Sequence, residues 1–255
     1  MGNIYAVTNQ KGGVGKTTTT VNLAASLAEN AKKILLIDLD PQGNATTGCG
    51  IDKPTLEKSS YDLLVGEASA KEVIVKRDDF SFDVIPTNAD LTAAEIELLD
   101  EEQREQRLRL ALEPIRADYD YILIDCPPSL SMLTLNALVA SKGVIIPIQC
   151  EYYALEGLSS LLKTVERIKQ RANSALEITG LVRTMFDARN NLANQVSRQL
   201  INHFEKKVFH TIVPRNVRLA EAPSHGIPVV SYDRSSRGSI AYMALAGEFM
   251  RREKS

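Results

Sequence analysis

Short apolar runs alternate with longer segments of helical periodicity along the chain, and this alternation limits the fold more than any other feature of the sequence. Several runs are apolar at every residue rather than at every second residue, which is typical of parallel strands that helices cover on both faces. The runs predict strands at residues 4–8, 33–38, 82–85, 121–125, 144–148, 178–184, 208–213 and 229–231. The periodic segments predict helices at residues 16–30, 91–112, 132–140, 155–172, 194–206 and 236–252. The sequence therefore predicts an α/β fold with a doubly wound, mostly parallel sheet and helices on both faces.

No linker or internal repeat interrupts this rhythm, which starts at residue 3 and continues to the end of the sequence. The chain has 255 residues, of which 44% are hydrophobic, and it can bury most of the surface of its unfolded state. This excludes disordered, collagen-like and disulfide-framework proteins. We expect a single domain over residues 1–255.

The sequence has no evident signal for membrane insertion or export. The longest apolar stretches, such as residues 143–148, have about six residues, whereas a bilayer span needs about 20. The amino terminus has neither the basic segment nor the long apolar core of an export signal. Cys49, Cys126 and Cys150 lack the short spacing of metal ligands, and we expect them to be reduced. These features predict a cytoplasmic protein that does not bind a membrane.

A glycine-rich segment lies between the first predicted strand and the first predicted helix. Main-chain N–H groups in such a segment can surround phosphate oxygens, and the amino end of the helix adds a favourable partial charge. Lys16 can reach the terminal phosphates, and the hydroxyl of Thr17 can bind Mg²⁺. The segment therefore predicts a phosphate-binding loop, or P-loop, made of Lys11, Gly12, Gly13, Val14, Gly15, Lys16, Thr17 and Thr18.

This loop departs from the common pattern G-x-x-x-x-G-K-[ST]. The first glycine of that pattern falls at position 10, where this chain has Gln10, and Lys11 follows. A second lysine adds a positive charge near the β- and γ-phosphates, or it reaches a nucleotide held by a facing subunit.

Two other predicted strands end in carboxylates. Asp38 ends the run 33–38 and Asp40 lies two residues beyond it, and Asp125 ends the run 121–125 as in a Walker B strand. Ligands of open α/β sheets bind at the carboxyl ends of the strands. One carboxylate there can hold a Mg²⁺-bound water, and another can orient the attacking water. We predict that Asp38 and Asp125 hold the metal through water, beside Thr17.

The three segments resemble the ParA/MinD family of P-loop ATPases, whose deviant Walker A motif has an extra lysine at the position of Lys11. The segments 149–157 and 214–226 also look like ParA-type segments, so the resemblance covers nearly the whole chain. Within the family, the chain is similar to the short chromosomal ParA, or Soj, branch, because only nine residues precede Gln10. The resemblance implies the fold of that P-loop class and Mg²⁺-dependent hydrolysis of ATP that is slow without a partner.

The resemblance also implies the roles of single residues. Lys11 acts across a nucleotide-sandwich homodimer, and the position of Asp40 has the catalytic role beside Lys11 and Lys16. Pro214 and Asn216 match the positions that contact adenine. The sequence lacks the N-K-x-D or T-K-x-D segment of common GTPases, which also favours ATP.

The net charge of −2 conceals an asymmetry along the chain. Residues 1–180 have 18 basic and 26 acidic residues, a net charge of −8, whereas residues 181–255 have 12 basic and 6 acidic residues, a net charge of +6. The basic part is a candidate surface for an anionic partner. In similar proteins the positions of Arg189 and Arg218 bind DNA non-specifically. We predict a non-specific DNA surface of Arg189, Arg215 and Arg218, with possible help from Lys206, Lys207, Arg234 and Arg237.

The resemblance then implies an ATP-dependent dimer that binds double-stranded DNA on the nucleoid and that a ParB-type centromere-binding partner releases by stimulating hydrolysis. Such a switch segregates chromosomes or plasmids. A MinD-like membrane ATPase is the main competing hypothesis, since residues 240–255 have apolar residues at helical spacing. An iron–sulfur relative would need closely placed cysteines, and a module that binds ATP without hydrolysing it is a further hypothesis.

Overall fold

The computed structural model describes residues 2–77 and 80–254, and these residues form a single parallel sheet of seven strands in the order β3-β2-β4-β1-β5-β6-β7. The strands are β1 Asn3–Val7, β2 Ile34–Asp38, β3 Asp83–Ile85, β4 Tyr121–Asp125, β5 Gly143–Gln149, β6 Glu177–Phe186 and β7 Val208–Pro214. Every pair of neighbouring strands in this sheet is parallel. The predicted α/β fold with a doubly wound parallel sheet is therefore confirmed.

Helices connect the strands and cover both faces of the sheet. The α-helices in the described part of the chain are α1 Lys16–Ala28, α2 Asn44–Gly48, α3 Ser60–Val65, α4 Ala70–Val73, α5 Leu91–Glu97, α6 Arg107–Leu112, α7 Met132–Ala140, α8 Ala154–Arg171, α9 Asn191–Phe204, α10 Val217–Glu221, α11 Val229–Tyr232 and α12 Arg237–Arg252. Short 3₁₀ turns lie at Lys53–Thr55, Leu98–Asp100, Arg104–Gln106, Glu113–Asp118, Glu205–Lys207 and Ala222–His225.

Successive side chains of β1 enter two different apolar clusters. Ile4 and Ala6 join the cluster that includes residues of α7, α8 and α9, whereas Tyr5 and Val7 join the cluster that includes residues of α1 and α12. Because both faces of the sheet are buried, each strand needs apolar residues at consecutive positions. This is the physical origin of the continuous apolar runs in the sequence.

The central strand β1 pairs with β4 on one side and with β5 on the other. The strand order reverses at this point, and the loops that follow these strands are separated by a crevice at the carboxyl edge of the sheet. In register, Val7 is opposite Asp125, and Asp125 is in turn opposite Asp38. The sheet thus brings the end of the P-loop strand and two of the predicted carboxylates to one place.

The predicted strand at 229–231 is wrong, because these residues form α11. Pro228 directly precedes this helix, and its carbonyl oxygen accepts hydrogen bonds from the N–H groups of Ser231 and Tyr232. Val229 and Val230 are buried against the cluster of α1 and α12. A run of three residues, two of them apolar, has too few positions for its periodicity to distinguish a buried strand from a helical turn.

The predicted helix at 91–112 is also wrong in part, since it divides into α5, two 3₁₀ turns and α6. Glu101 is extended (φ −85°, ψ 138°) and Gln103 has φ 54°, in the left-handed region, so helix geometry is interrupted between α5 and α6. The Asn136 side chain of α7 donates to the carbonyl oxygen of Arg104 at 2.8 Å and accepts from the N–H of Leu108 at 3.1 Å. A residue 28 positions away from Leu108 thus satisfies main-chain groups at the break.

The carboxyl-terminal helix α12 packs its apolar face inside the protein. Tyr242, Leu245 and Phe249 are buried, and the rings of Tyr5 and Phe249 meet edge to face with centroids 4.9 Å apart. Over residues 2–77 and 80–254, the length and hydropathy of every helix fall short of what a bilayer crossing requires.

Candidate nucleotide site

The P-loop connects β1 to α1 and is held in a wide curve. Gly13 and Gly15 have φ 72° and 85°, which side chains rarely allow, so glycine is required at both positions. Thr184 of β6 donates its hydroxyl to the carbonyl oxygen of Val14 at 2.7 Å. Asn9 accepts from the N–H of Lys11 at 3.0 Å and donates to the carbonyl oxygen of Pro147 at 2.8 Å. Neighbouring strands therefore fix the loop from two sides.

Lys16 lies at the start of α1 with a buried side chain. Its Nζ donates to the carbonyl oxygen of Lys11 at 3.1 Å, so the side chain folds back over the loop. Burial lowers the pKa of this ammonium, and the charges of Asp125 and Asp40 partly oppose that shift. Burial is the larger effect, so the charged form of this lysine is favoured by the two carboxylates but disfavoured by its surroundings as a whole.

Asp125 lies under the P-loop at the end of β4, fully buried. Its two carboxylate oxygens accept from the hydroxyls of Thr17 at 2.7 Å and of Thr20 at 2.9 Å. Burial raises the pKa of this carboxyl, and the neighbouring charge of Asp38 raises it further. A cation next to Thr17 would relieve this cost of burying negative charge.

Asp38 at the end of β2 is fully buried as well, and it organises the chain that follows. It accepts from the N–H of Thr46 at 2.8 Å, from the hydroxyl of Thr46 at 2.7 Å and from the N–H of Asp40 at 3.1 Å. Burial raises the pKa of Asp38. These contacts hold α2 and the turn before it in a fixed position.

Asp40 lies in that turn and lines the cavity beside the P-loop. One of its carboxylate oxygens accepts from the N–H of Gln42 at 3.0 Å, and its carbonyl oxygen accepts from the N–H of Gly43 at 2.7 Å. Asp38 and Asp125 lie beneath the loop, outside the lining of this cavity, whereas Asp40 faces it. The three carboxylates therefore have two different positions relative to a ligand.

The cavity has a volume of about 730 Å³ and extends from the P-loop to the segment after β7. The predicted adenine contacts, Pro214 and Asn216, line its far end together with Met185 and Leu219. The Oδ1 atom of Asn216 is buried and has no hydrogen-bond partner among the described residues. This oxygen has almost no exposed surface and lies close to Gly238 at the start of α12, so other atoms of Asn216 border the cavity.

Most of the predicted P-loop residues line this cavity, but two do not. Gly12, Gly13, Gly15, Lys16, Thr17 and Thr18 belong to the lining. The side chain of Val14 is buried in the protein and does not line the cavity. The side chain of Lys11 also points away from its own cavity, and its Nζ lies 2.5 Å from a carboxylate oxygen of Glu151.

The residues present fit a nucleoside triphosphate and a magnesium ion. The glycines leave the N–H groups of the loop accessible, and a Cβ atom at Gly12 or Gly13 would meet nothing within 4 Å. The Thr17 hydroxyl donates its hydrogen to Asp125 and keeps its oxygen lone pairs for a cation. Hydroxyl and carboxylate oxygens are the ligands that Mg²⁺ prefers.

The predicted DNA-binding residues lie at the same edge of the sheet, after β6 and β7. Arg189 has a side chain that is 91% exposed, and it binds Asp187 through two hydrogen bonds of 2.8 and 3.0 Å. Arg215 is exposed, and its N–H donates to the carbonyl oxygen of Phe186, so the two loops touch. Arg218 binds Glu221 at 2.8 Å and Asp233 at 3.3 Å.

The structure does not bring all of the possible helpers to this surface. Lys206 and Lys207 precede β7, whereas Arg215 follows it, and seven residues of strand separate the two ends by about 20 Å. Arg234 lies after α11 and binds Glu29 at 2.7 Å, and Arg237 is exposed at the start of α12.

Sequence reasoning missed several polar residues that shape the site. Thr46 orients Asp38, Thr184 supports the P-loop, and Asn9 joins the P-loop to β5. Thr184 ends a predicted strand, and that position is the only signal that could have indicated it. Thr46 lies in α2, which the periodicity did not predict.

Comparison with known proteins shows the family to which the chain belongs. A family model described as an AAA domain matches residues 2–178. The chain is 55% identical to the sporulation initiation inhibitor protein Soj of Bacillus subtilis, over 97% of this chain and 98% of that protein. It is 51% identical to the chromosome partitioning protein ParA of Myxococcus xanthus, over 99% of this chain and 89% of that protein.

A solved structure has the same fold. Cobyrinic acid a,c-diamide synthase from Mycobacterium smegmatis, with bound ADP and magnesium, matches with a TM-score of 0.88 at 36% identity, and the match covers 100% of this chain and 96% of that one. The sheet and the loop between β1 and α1 thus define a P-loop NTPase. More narrowly, the chain belongs to the ParA/Soj family of chromosome-partitioning ATPases.

Proposed function

We propose that this protein is a Mg²⁺-dependent ATPase that works as a DNA-partitioning switch, as a single domain over residues 1–255. One observation carries the proposal: Lys16, Thr17 and Asp40 line a cavity large enough for a nucleotide at one edge of the sheet, where β2 and β4 end in the buried Asp38 and Asp125. Only the positioning and stabilisation of charge are then needed for phosphoryl transfer to water.

Each residue has a specific task in this reaction. The N–H groups of the P-loop and the ammonium of Lys16 hold the phosphates, and Asp40, which faces the cavity, orients the attacking water. When bound, magnesium neutralises developing charge on the phosphates, and Thr17 would hold it directly while Asp38 and Asp125 would do so through water. Pro214 and Asn216 line the same cavity and contact adenine in this proposal, as the matching positions of the family do, which favours ATP over GTP.

The dimer in this proposal forms through the P-loop face. Lys11 points away from its own cavity, so it is free to reach a nucleotide held by a second copy once it leaves Glu151. Gly12 has open space where a side chain would stand. A valine at position 12 is therefore tolerated within one chain but collides with a second chain that docks on this face.

DNA binding would follow from dimer formation. Arg189, Arg215 and Arg218 lie at the same edge of the sheet as the nucleotide, and two subunits together present twice as many phosphate contacts as one. A ParB-type partner at its centromere-like site would stimulate hydrolysis and release the dimer. We therefore propose that the protein acts in the cytoplasm, on the nucleoid.

The decisive experiment measures binding to two unrelated DNA duplexes with ATP, ADP or no nucleotide, at two salt concentrations. The wild-type protein and Gly12→Val are compared. We expect the wild type to bind both duplexes only with ATP and to lose affinity steeply with salt, and we expect Gly12→Val to bind ATP without binding DNA. Binding that is absent or indifferent to nucleotide would contradict the proposed switch, and ATP-dependent flotation with lipid vesicles would then favour a MinD-like membrane ATPase.

A further inference from the structure

Two adjacent tyrosines stand out from the others in this protein. Tyr152 is 74% exposed and Tyr153 is 67% exposed, whereas the remaining six tyrosines are buried or half-buried. The two rings contact each other edge to face, with centroids 5.0 Å apart. Large aromatic side chains exposed side by side form an apolar patch of the kind that marks an interaction surface.

The backbone holds these tyrosines at a tight turn between β5 and α8. The N–H of Ala154 donates to the carbonyl oxygen of Glu151 at 3.0 Å, and the N–H of Gly157 donates to that of Tyr153 at 3.3 Å. Cys150 before the turn and Ala154 after it are both buried. The aromatic pair is therefore presented on a rigid support, which reduces the entropy lost when a partner binds.

The turn belongs to the face that also carries the P-loop. Because β4, β1 and β5 are neighbours, the loops that follow them lie side by side at the carboxyl edge of the sheet. The Glu151 carboxylate binds Lys11 of the P-loop, which joins two of these loops directly. The third loop contributes Leu130, a further apolar residue that is 48% exposed.

We infer that Tyr152 and Tyr153 anchor a second copy of this chain on the P-loop face. The inference rests on the proposed ATP-dependent dimer and adds the residues that hold it together. A two-fold interface uses the same patch on both subunits, so the patch must complement itself. An aromatic pair can pack on its own symmetry copy, and the adjacent Lys11 and Glu151 provide opposite charges that match across a two-fold axis.

The same geometry explains how the ion pair of one monomer takes part. Lys11 and Glu151 are both partly exposed, so their attraction is weak and easily exchanged. When a second copy docks, Lys11 can leave Glu151 for groups of the facing chain. The tyrosines then supply buried apolar area, which the exchange of charges alone does not provide.

The test measures the monomer–dimer equilibrium by analytical ultracentrifugation, with magnesium and a non-hydrolysable β,γ-imido analogue of ATP. The variants are the double substitutions Tyr152→Ala/Tyr153→Ala and Tyr152→Phe/Tyr153→Phe. Ile96→Ala is the matched control, because Ile96 is 71% exposed on α5, which follows the edge strand β3, and it does not line the nucleotide cavity. Binding of a fluorescent ADP to the monomer and thermal unfolding are measured in parallel.

We expect the double alanine variant to lower the dimer association constant at least about tenfold, while the double phenylalanine variant and Ile96→Ala stay within about threefold of the wild type. ADP binding and unfolding temperature should not change in any of them. If the wild type dimerises and the double alanine variant dimerises equally well, the anchor assignment is wrong although the dimer stands. A parallel loss of ADP binding would place the tyrosines in the nucleotide site and overturn the assignment. A wild type that stays monomeric contradicts the dimer of the proposed function, and the assignment with it.

Discussion

The P-loop region differs from the loops after β6 and β7 that contain Arg189, Arg215 and Arg218, here called the arginine loops. The two regions differ in how far along the chain their charged side chains lie from the residues that they bind. Asp125 binds Thr17, which is 108 positions away, and both Asp125 and Asp38 are fully buried. Arg189 and Arg218 are exposed, and their shortest ion pairs are with Asp187 and Glu221, which are two and three positions away; Arg218 also binds Asp233, 15 positions away. The fold fixes the geometry of the first region, whereas local sequence sets that of the second. In the proposed DNA complex, a phosphate must therefore compete with the acidic neighbours of Arg189 and Arg218.

The largest effect should come from removing the buried lysine. Lys16→Ala takes away the ammonium among the P-loop carbonyls and carboxylates, and we expect ATP affinity to fall by at least about 100-fold, because a buried charged contact to phosphate is lost. Isothermal titration calorimetry measures this directly. Lys163→Ala, an exposed lysine on α8, is the control and should bind ATP as the wild type does. Near-normal affinity in Lys16→Ala would show that the buried region is not where the phosphates bind.

The second prediction, also in the P-loop region, concerns a substitution that affects ATP hydrolysis but not ATP binding. Asp40→Ala should retain ATP binding and lose at least about 100-fold in the hydrolysis rate, because Asp40 faces the cavity but is not among the groups that hold Asp125 and the P-loop together. Under the proposed function, this variant accumulates as an ATP-bound dimer on DNA. Phosphate release under single-turnover conditions is the measurement. Hydrolysis at the wild-type rate would mean that the role of Asp40 is wrong.

A substitution in the arginine loops should have a smaller effect, in this case on DNA binding. Two variants with the same change of charge test whether the effect depends on the position of the residue. Arg189→Glu should weaken ATP-dependent DNA binding by about tenfold at low salt and reduce the dependence of affinity on salt. Lys206→Glu makes the same change of charge at the opposite end of β7 and should bind DNA nearly as the wild type does. Fluorescence anisotropy at several salt concentrations compares them. Equal losses in the two variants would show that net charge, rather than this edge of the sheet, determines binding.

The smallest effect tests the competition between phosphate and carboxylate. Asp187→Asn leaves Arg189 without its ion-pair partner, and we expect DNA binding to tighten by about two- to threefold at low salt, because exposed ion pairs contribute little. The gain should disappear at high salt. A large gain, or one that persists in high salt, would contradict the description of this pair as a weak surface interaction.

The sequence predicted the buried region better than the exposed one for a physical reason. The strands ending at Asp38 and Asp125 could be read because strands buried on both faces must be apolar at each position. The contacts made by Thr46, Thr184 and Asn136 could not be read, because each depends on a residue that only the folded chain brings close. For Lys206 and Lys207, charge counting was insufficient, since it does not reveal at which end of β7 a side chain lies.

The edge strand β7 is partly protected from pairing with a strand of another molecule. Both carboxylate oxygens of Glu248 accept from main-chain N–H groups, those of His210 and Thr211, at 2.8 Å each. Arg183 occupies the carbonyl oxygens of Phe209 and His210 from within the sheet. These groups are then not available to pair with a strand of another molecule, which is the usual route from crowding to fibrils. In the proposed function many copies gather along DNA, and these contacts block strand pairing between copies at this part of the edge.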